Sequence, residues 1–189
     1  MKFDEYNYTD KVVRYISLRF IRIFNNAKKK RKPKEVIDDF HEMYEDLNDI
    51  AILAFLDIAR HYWKGADRKW VEEILDRYDP VTKYRYSEEV DRKRSRHTEA
   101  VIASETPEIE TDRALRYWTN MVKQYADEVT DEAVKASLKK DGVKKIIWVT
   151  QRDNRVCSEC SARDGKEYPI NDIPTKPHIG CRCYVKAKR

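Results

Sequence analysis

Apolar residues recur every three or four positions along most of the first 140 residues, and this spacing predicts helices. The clearest run extends from Lys34 to Trp63, where acidic residues separate the apolar positions. Its narrow apolar seam suits packing against another long helix. A run from Asp10 to Asn26 has the same spacing and takes Thr9 or Asp10 as its cap, although its β-branched residues leave a strand open.

Four shorter helices are predicted after the second run. One extends from about Ala66 to Tyr78, and the next starts near Ser87 and ends at Ala103. Pro107 then interrupts the pattern. Two more helices are expected beyond it, one from Thr111 through Tyr125 and a last one from Asp131 to Lys140.

The character of the chain changes at Gly142, a residue type that commonly terminates a helix. Val143 to Thr150 is β-branched and aromatic, which predicts a strand, and the segment after it favours loops over helices. We therefore divide the chain into a helical domain at residues 1–142 and a small β-rich domain at residues 143–189. The predicted fold class is mainly α, an elongated helical body with a small C-terminal β-knuckle.

Composition allows one moderate domain, with or without a small appendage, because the chain has 189 residues. Charged residues make up 39% and the net charge is +5, so the distribution of charge matters more than its sum. Two basic runs read either as solvated surface or as phosphate-contacting patches. These two runs and Arg182, which lies between the last two cysteines, supply the candidate nucleic-acid contacts. They are Lys28, Lys29, Lys30, Arg31, Lys32, Arg92, Lys93, Arg94 and Arg182.

Targeting signals are not evident in the sequence. The first ten residues lack the charged, apolar and small-residue order of a secretory signal, and the longest uncharged apolar run, Ile50 to Leu56, is too short to span a bilayer. We therefore expect a protein that is made and kept in a reducing cytosol. Clustered cysteines in that compartment are more often metal ligands than disulfides.

All four cysteines lie between Val156 and Tyr184, and a histidine accompanies them. Tetrahedral zinc takes four sulfur or nitrogen ligands, commonly as two close pairs joined by a longer loop. Cys157 and Cys160 form the first pair. The second pair comes from three candidates, of which the two cysteines rank slightly ahead because residues i and i+2 of a strand share a face. These candidates are His178, Cys181 and Cys183.

Other uses of the cysteines stay open, namely two disulfides in an extracellular particle or free buried thiols. A structural zinc is favoured over a catalytic one, because catalytic sites keep one position open for water. Residues 143–189 contain few large apolar side chains, so ion binding is expected to supply their folding free energy, about 10 kcal/mol or more. Trp148 either packs over the metal or serves as an ordinary core residue.

The cysteine-rich segment resembles the minor head proteins of tailed bacteriophages, the phage head morphogenesis family that includes the F protein of phage Mu. Its signature is a tryptophan-bearing strand, an aspartate, Arg-Val-Cys-x2-Cys, Asp-Gly, a proline and His-x2-Cys-Arg-Cys. In this chain the signature is carried by Trp148-Val149-Thr150, Asp153, Arg155 to Cys160, Asp164-Gly165, Pro177 and His178 to Cys183. Upstream of the signature, Ala100 to Glu108 is similar to a family segment with an Ile-Ala-Arg-Thr-Glu core, but departs from that order at Ser104-Glu105-Thr106.

This resemblance implies a non-catalytic structural protein in the virion, associated with the portal inside the capsid and made in the host bacterial cytoplasm. It implies a role in head assembly and in DNA packaging or ejection. The implied partners are the portal protein and other head proteins, and non-specific contact with DNA is expected. Neither a membrane nor a small-molecule substrate is expected as a partner.

Enzymatic readings find little support in the sequence. Phosphate-binding glycine loops and nucleophile elbows are absent, and His41-Glu42 lacks the second helical histidine of a metalloprotease. We therefore expect no enzyme. A zinc-finger DNA-binding regulator is the main alternative, although Pro169, Pro174 and Pro177 break the segment in which a recognition helix would lie.

Overall fold

A computed structural model describes residues 5–27, 33–77, 83–178 and 181–188 of the chain. These residues form a mainly helical fold with a small sheet, which confirms the predicted fold class. Among them, no helix is long and apolar enough to cross a membrane. The elements are α1 (Glu5–Ala27), α2 (Pro33–Tyr62), α3 (Arg68–Leu75), α4 (Tyr86–Ala103), α5 (Pro107–Lys140), β1 (Lys145–Val149), α6 (Ser158–Arg163), β2 (Glu167–Pro169) and β3 (Tyr184–Ala187).

The long helix α5 contacts each of α1, α2, α3 and α4, and the main apolar core lies between these five helices. Aromatic residues fill much of that core. The ring of Tyr44 meets Trp118 edge-on, with the ring centroids 5.2 Å apart. Thr9 and Thr130 are buried as well, and their hydroxyl oxygens lie 2.8 Å apart, so this polar pair between α1 and α5 is satisfied.

The bounds of three helices differ from the sequence predictions, and two of these are α5 and α1. Helix α5 is continuous, whereas the sequence predicted two helices there with Pro107 outside both. Pro107 is instead the first residue of α5, where a missing backbone N–H costs nothing. The helix continues because the face that carries Ala126, Val129 and Ala133 stays buried along its whole length. Helix α1 begins at Glu5, so Thr9 and Asp10 are both interior residues, and the prediction that one of them is the cap was wrong.

Helix α3 is shorter than predicted and begins after a well-formed cap. The Asp67 side chain accepts a hydrogen bond from the Trp70 backbone N–H over 2.8 Å, which satisfies one of the free donors of the first turn. At the end of α5, Gly142 adopts a φ of 77°. The N–H groups of Gly142 and Val143 donate to the carbonyls of Lys139 and Leu138, as in a Schellman motif.

The C-terminal segment builds a three-stranded antiparallel sheet in the order β2-β1-β3. Ile146 and Trp148 of β1 point to the same buried face, because side chains alternate along a strand. That face belongs to a second apolar core, to which Val134 and Leu138 of α5 also contribute. The segment therefore has an apolar interior that it shares with α5, more than its sequence indicated. The domain boundary near Gly142 stays a prediction.

Candidate metal centre

Helix α6 was missed in the sequence, and its first turn positions the first cysteine pair. Cys157 is the N-cap, with φ −71° and ψ 161°, and its Sγ accepts from the backbone N–H of Cys160 at 3.4 Å. This N–H is the main cause that lowers the pKa of the Cys157 thiol, and His178 contributes in the same direction. Cys160 sits one turn further on and is buried.

The second pair of cysteines lies immediately before β3. Cys181 and Cys183 are both buried, as alternation along an extended segment requires, while Arg182 between them is partly exposed. The Sγ atoms of Cys160 and Cys181 are 3.4 Å apart. The backbone N–H of Cys181 donates to the carbonyl of His178 at 3.3 Å, which holds the backbones of these two residues together.

These residues form two ligand groups that share Cys160. One group is Cys157, Cys160 and His178, and the other is Cys160, Cys181 and Cys183. Within each group the potential ligand atoms all lie within 4.8 Å of one another. The structure thus brings together all five residues predicted as ligands, and it places His178 as an exposed member beside three buried thiols.

The donor set fits a soft divalent ion. The four thiols are free, and the 3.4 Å between Cys160 and Cys181 is far beyond a disulfide bond of about 2.05 Å. Thiolates that share a tetrahedral zinc lie about 3.8 Å apart, given a Zn–S bond of about 2.3 Å. Burial raises the pKa of Cys160, and its neighbouring thiols raise it further, so these sulfurs need a cation to ionise together.

Loops around the cysteines are fixed by ion pairs and by a glycine turn. One guanidinium nitrogen of Arg182 lies 2.7 and 2.8 Å from the two carboxylate oxygens of Asp153, and this contact is the main cause that lowers the Asp153 pKa. Asp164 accepts from the backbone N–H of Thr150 at 2.9 Å. Gly165 follows with a φ of 77°, which allows its N–H to reach the Trp148 carbonyl.

Trp148 is a buried core residue, one of the two roles that the sequence left open, and its packing over a metal stays a prediction. It is buried in the second core beside Cys160, Cys181 and Cys183. The guanidinium carbon of Arg163 lies 5.2 Å from its ring centroid, within the range of a cation–π contact.

The predicted nucleic-acid contacts have varied surroundings. Arg92 pairs with the buried carboxylate of Glu89, and the Lys93 ammonium lies 3.9 Å from the ring centroid of Tyr117. Arg94 pairs with Asp91 at 3.1 Å, and Arg182 pairs with Asp153. These four side chains therefore make intramolecular contacts. The run Lys28, Lys29, Lys30, Arg31 and Lys32 lies outside the described residues.

A family model described as "Phage Mu protein F like protein" matches residues 89–186, just over half of the chain. The match begins in α4, includes all of α5 and ends in β3, so it extends well upstream of the cysteine-rich segment. Neither a curated protein nor a solved structure matches.

Proposed function

This chain belongs to the phage Mu protein F-like family, and on that premise we propose that it is a portal-associated minor head protein of a tailed bacteriophage. Family membership makes it a phage head morphogenesis protein, with a place in the virion and contacts to other head proteins. The finer role proposed is a position inside the capsid near the portal, where the protein aids head assembly and DNA packaging or ejection. The match over residues 89–186 carries this proposal.

The proposed metal is one structural Zn²⁺ ion. Cys157 and Cys160 would hold it together with two of the three remaining candidates, His178, Cys181 and Cys183. The bound ion would supply a fixed cross-link between the start of α6 and the segment before β3. The candidate ligands are four cysteine thiolates, all buried or half-buried, and one imidazole. These donors favour zinc over a hard cation, which prefers oxygen ligands.

We further propose that the protein acts without catalysis. Three histidines of the described residues have structural surroundings that support this reading. His61 stacks on Tyr8 with the ring centroids 3.8 Å apart, and His97 lies 2.5 Å from the Tyr44 hydroxyl. His178 stands beside Cys157 among the candidate metal ligands.

Direct contact with DNA is proposed for the basic run Lys28 to Lys32. The second basic run, which includes Arg92, Lys93 and Arg94, is a weaker candidate because its cations already have partners within the protein. A DNA-binding regulator is correspondingly less favoured. The helix that follows the first cysteine, α6, has only six residues, too few for a typical recognition helix.

The test is an affinity purification of the tagged chain from phage-producing cells, combined with quantification of the chain in purified particles. A portal-associated head protein is expected to co-purify with the portal protein and to occur in particles in few copies. A Cys157→Ser, Cys160→Ser double variant shows whether the cysteine centre is needed for that association. If particles lacked the chain and the purification yielded promoter DNA or RNA polymerase, the regulator would be the better reading.

A further inference from the structure

A cavity of about 190 Å³ lies between α5 and the C-terminal segment. On one side it is lined by Trp148, Ile173 and Lys176, together with three of the candidate metal ligands, His178, Cys181 and Cys183. The other side is a single face of α5, because its lining residues each lie three or four positions, about one helical turn, from another. They are Gln124, Asp127, Glu128, Asp131, Glu132 and Lys135.

Charges around this cavity are unbalanced. Four carboxylates line it against two ammonium groups, and both ammonium groups already have carboxylate partners. Lys135 lies 3.2 Å from Glu132, and Lys176 lies 2.8 Å from Asp131. Arg77, which does not line the cavity, also pairs with Glu132 at 2.9 Å, so four carboxylates face three cations. The remaining excess of one negative charge lies in a partly enclosed space, where charges interact more strongly than in water.

Asp127 is the residue that this excess affects most. It is 8% exposed, and its Oδ1 atom is buried without a hydrogen-bond partner in the described part of the chain. Burial raises the pKa of Asp127 to about 6, even though Lys176 and Lys123 act to lower it. Because a buried carboxylate without full compensation is costly, a cationic partner would be favourable here.

We propose that this cavity binds an organic cation, an alkylammonium or alkylguanidinium group whose charged head pairs with Asp127 and whose stem lies against Trp148. The volume suits such a group, since a cavity of about 150 Å³ holds a molecule the size of benzene. The carboxylates of α5 belong to neither close ligand group found among the described residues, which favours an organic cation over a divalent metal. This inference does not depend on the proposed role in the phage head.

The experiment titrates n-butylguanidinium into the full-length, metal-loaded chain and follows binding by isothermal calorimetry at pH 7. Neutral n-butylurea has the same shape and serves as the ligand control. Saturable binding with one site per chain is expected for the cation and not for the urea. Asp127→Asn should weaken this binding about tenfold or more, because it removes a charge-assisted hydrogen bond.

Asp112→Asn is the matched protein control, because Asp112 is an exposed residue of α5 that does not line the cavity. It should bind like the unmodified chain. A peptide with an internal arginine, acetyl-Gly-Arg-Gly-amide, tests whether the cation that binds here belongs to a protein side chain or to a small free molecule. Binding of the peptide would assign the site to a protein side chain, and binding of n-butylguanidinium alone would assign it to a small free cation. Equal affinity for n-butylurea, no saturable binding, or unchanged binding by Asp127→Asn would overturn the proposal.

Discussion

The Sγ atoms of Cys160 and Cys181 lie 3.4 Å apart although 21 positions separate the two residues in the chain. This contact joins the first turn of α6 to the segment that leads into β3. Both cysteines are buried members of an apolar core that Val134 and Leu138 of α5 help to form. An ion held here would therefore hold the segment before β3 to the start of α6, on the side of the core that packs against α5.

Single substitutions should identify the ligand set. Cys157→Ser and Cys160→Ser are each expected to lose the ion, because the sequence assigned both residues to the first ligand pair and four ligands are needed. In the structure Cys160 belongs to both ligand groups and Cys157 to one. Among His178→Ala, Cys181→Ser and Cys183→Ser, one variant should keep full metal content and the other two should not. Metal content is measured by elemental analysis after exhaustive dialysis. Retention of the ion by Cys160→Ser would contradict the assignment.

Loss of the ion should unfold residues 143–188 and leave the helices in place. Structural zinc contributes about 10 kcal/mol or more in small sites, which exceeds what the shared apolar core of this segment is expected to supply. The prediction is checked on Cys157→Ser by limited proteolysis, with circular dichroism as the control for helix content. A protease-resistant C-terminal segment in the metal-free variant would show that the apolar core suffices.

Asp127 should make the protein less stable as the pH rises. Its pKa is about 6 in the folded protein and 3.8 for an unperturbed side chain, so the unfolded chain releases its proton first. The free energy of unfolding therefore falls by up to about 3 kcal/mol as the pH rises from about 4 to about 6. Asp10, Lys123, Asp131 and Lys176 face this carboxylate and set the balance. Urea unfolding should find Asp127→Asn more stable by about 1–3 kcal/mol at pH 7, with no difference near pH 4.

His97 should act in the opposite direction. Burial lowers its pKa to about 4, with Lys93, Arg96 and Arg92 contributing and Glu89 opposing. The unfolded chain therefore takes up the proton first as the pH falls, and folding stability falls by about 3 kcal/mol between about pH 6.5 and pH 4. A His97→Gln variant should flatten this dependence while Asp127→Asn steepens it. Identical pH profiles for the variant and the parent would contradict the assignment.

DNA retention should depend on the first basic run. Replacing Lys28 to Lys32 by serine is expected to weaken binding to duplex DNA. The slope of the logarithm of the binding constant against the logarithm of the salt concentration should fall in magnitude by about 0.9 for each phosphate that is no longer neutralised. Arg92→Ala should act mainly on stability, because it leaves the buried Glu89 without its ion-pair partner. Filter binding at several salt concentrations and urea unfolding separate the two effects.

Sequence patterns predicted the helices best where the apolar spacing is long and regular. Helix α2 spans Pro33–Tyr62, and the pattern placed it at Lys34 to Trp63. Helix α6 was missed because six residues are too few to show a period, and cysteine is not a usual cap. The contact between Thr9 and Thr130 spans 121 positions, and a single sequence carries no signal for such a pairing.

The cysteines were predictable as a cluster because their spacing is typical of metal ligands, and the structure brings all five candidates together. The acidic face of α5 was not predictable in the same way. Its residues have helical spacing only if α5 is continuous, and the sequence had divided that helix near Asp127. The cavity also depends on how the C-terminal segment folds back on α5, which local patterns do not encode.

Native mass spectrometry of the purified full-length chain, combined with elemental analysis, is the sharpest test of the metal centre. We predict one zinc ion per chain, lost on denaturation or chelation together with the order of residues 143–188. A metal-free chain whose C-terminal segment stays folded and protease-resistant, with its four thiols reduced, would show that no ion is needed to hold this segment together.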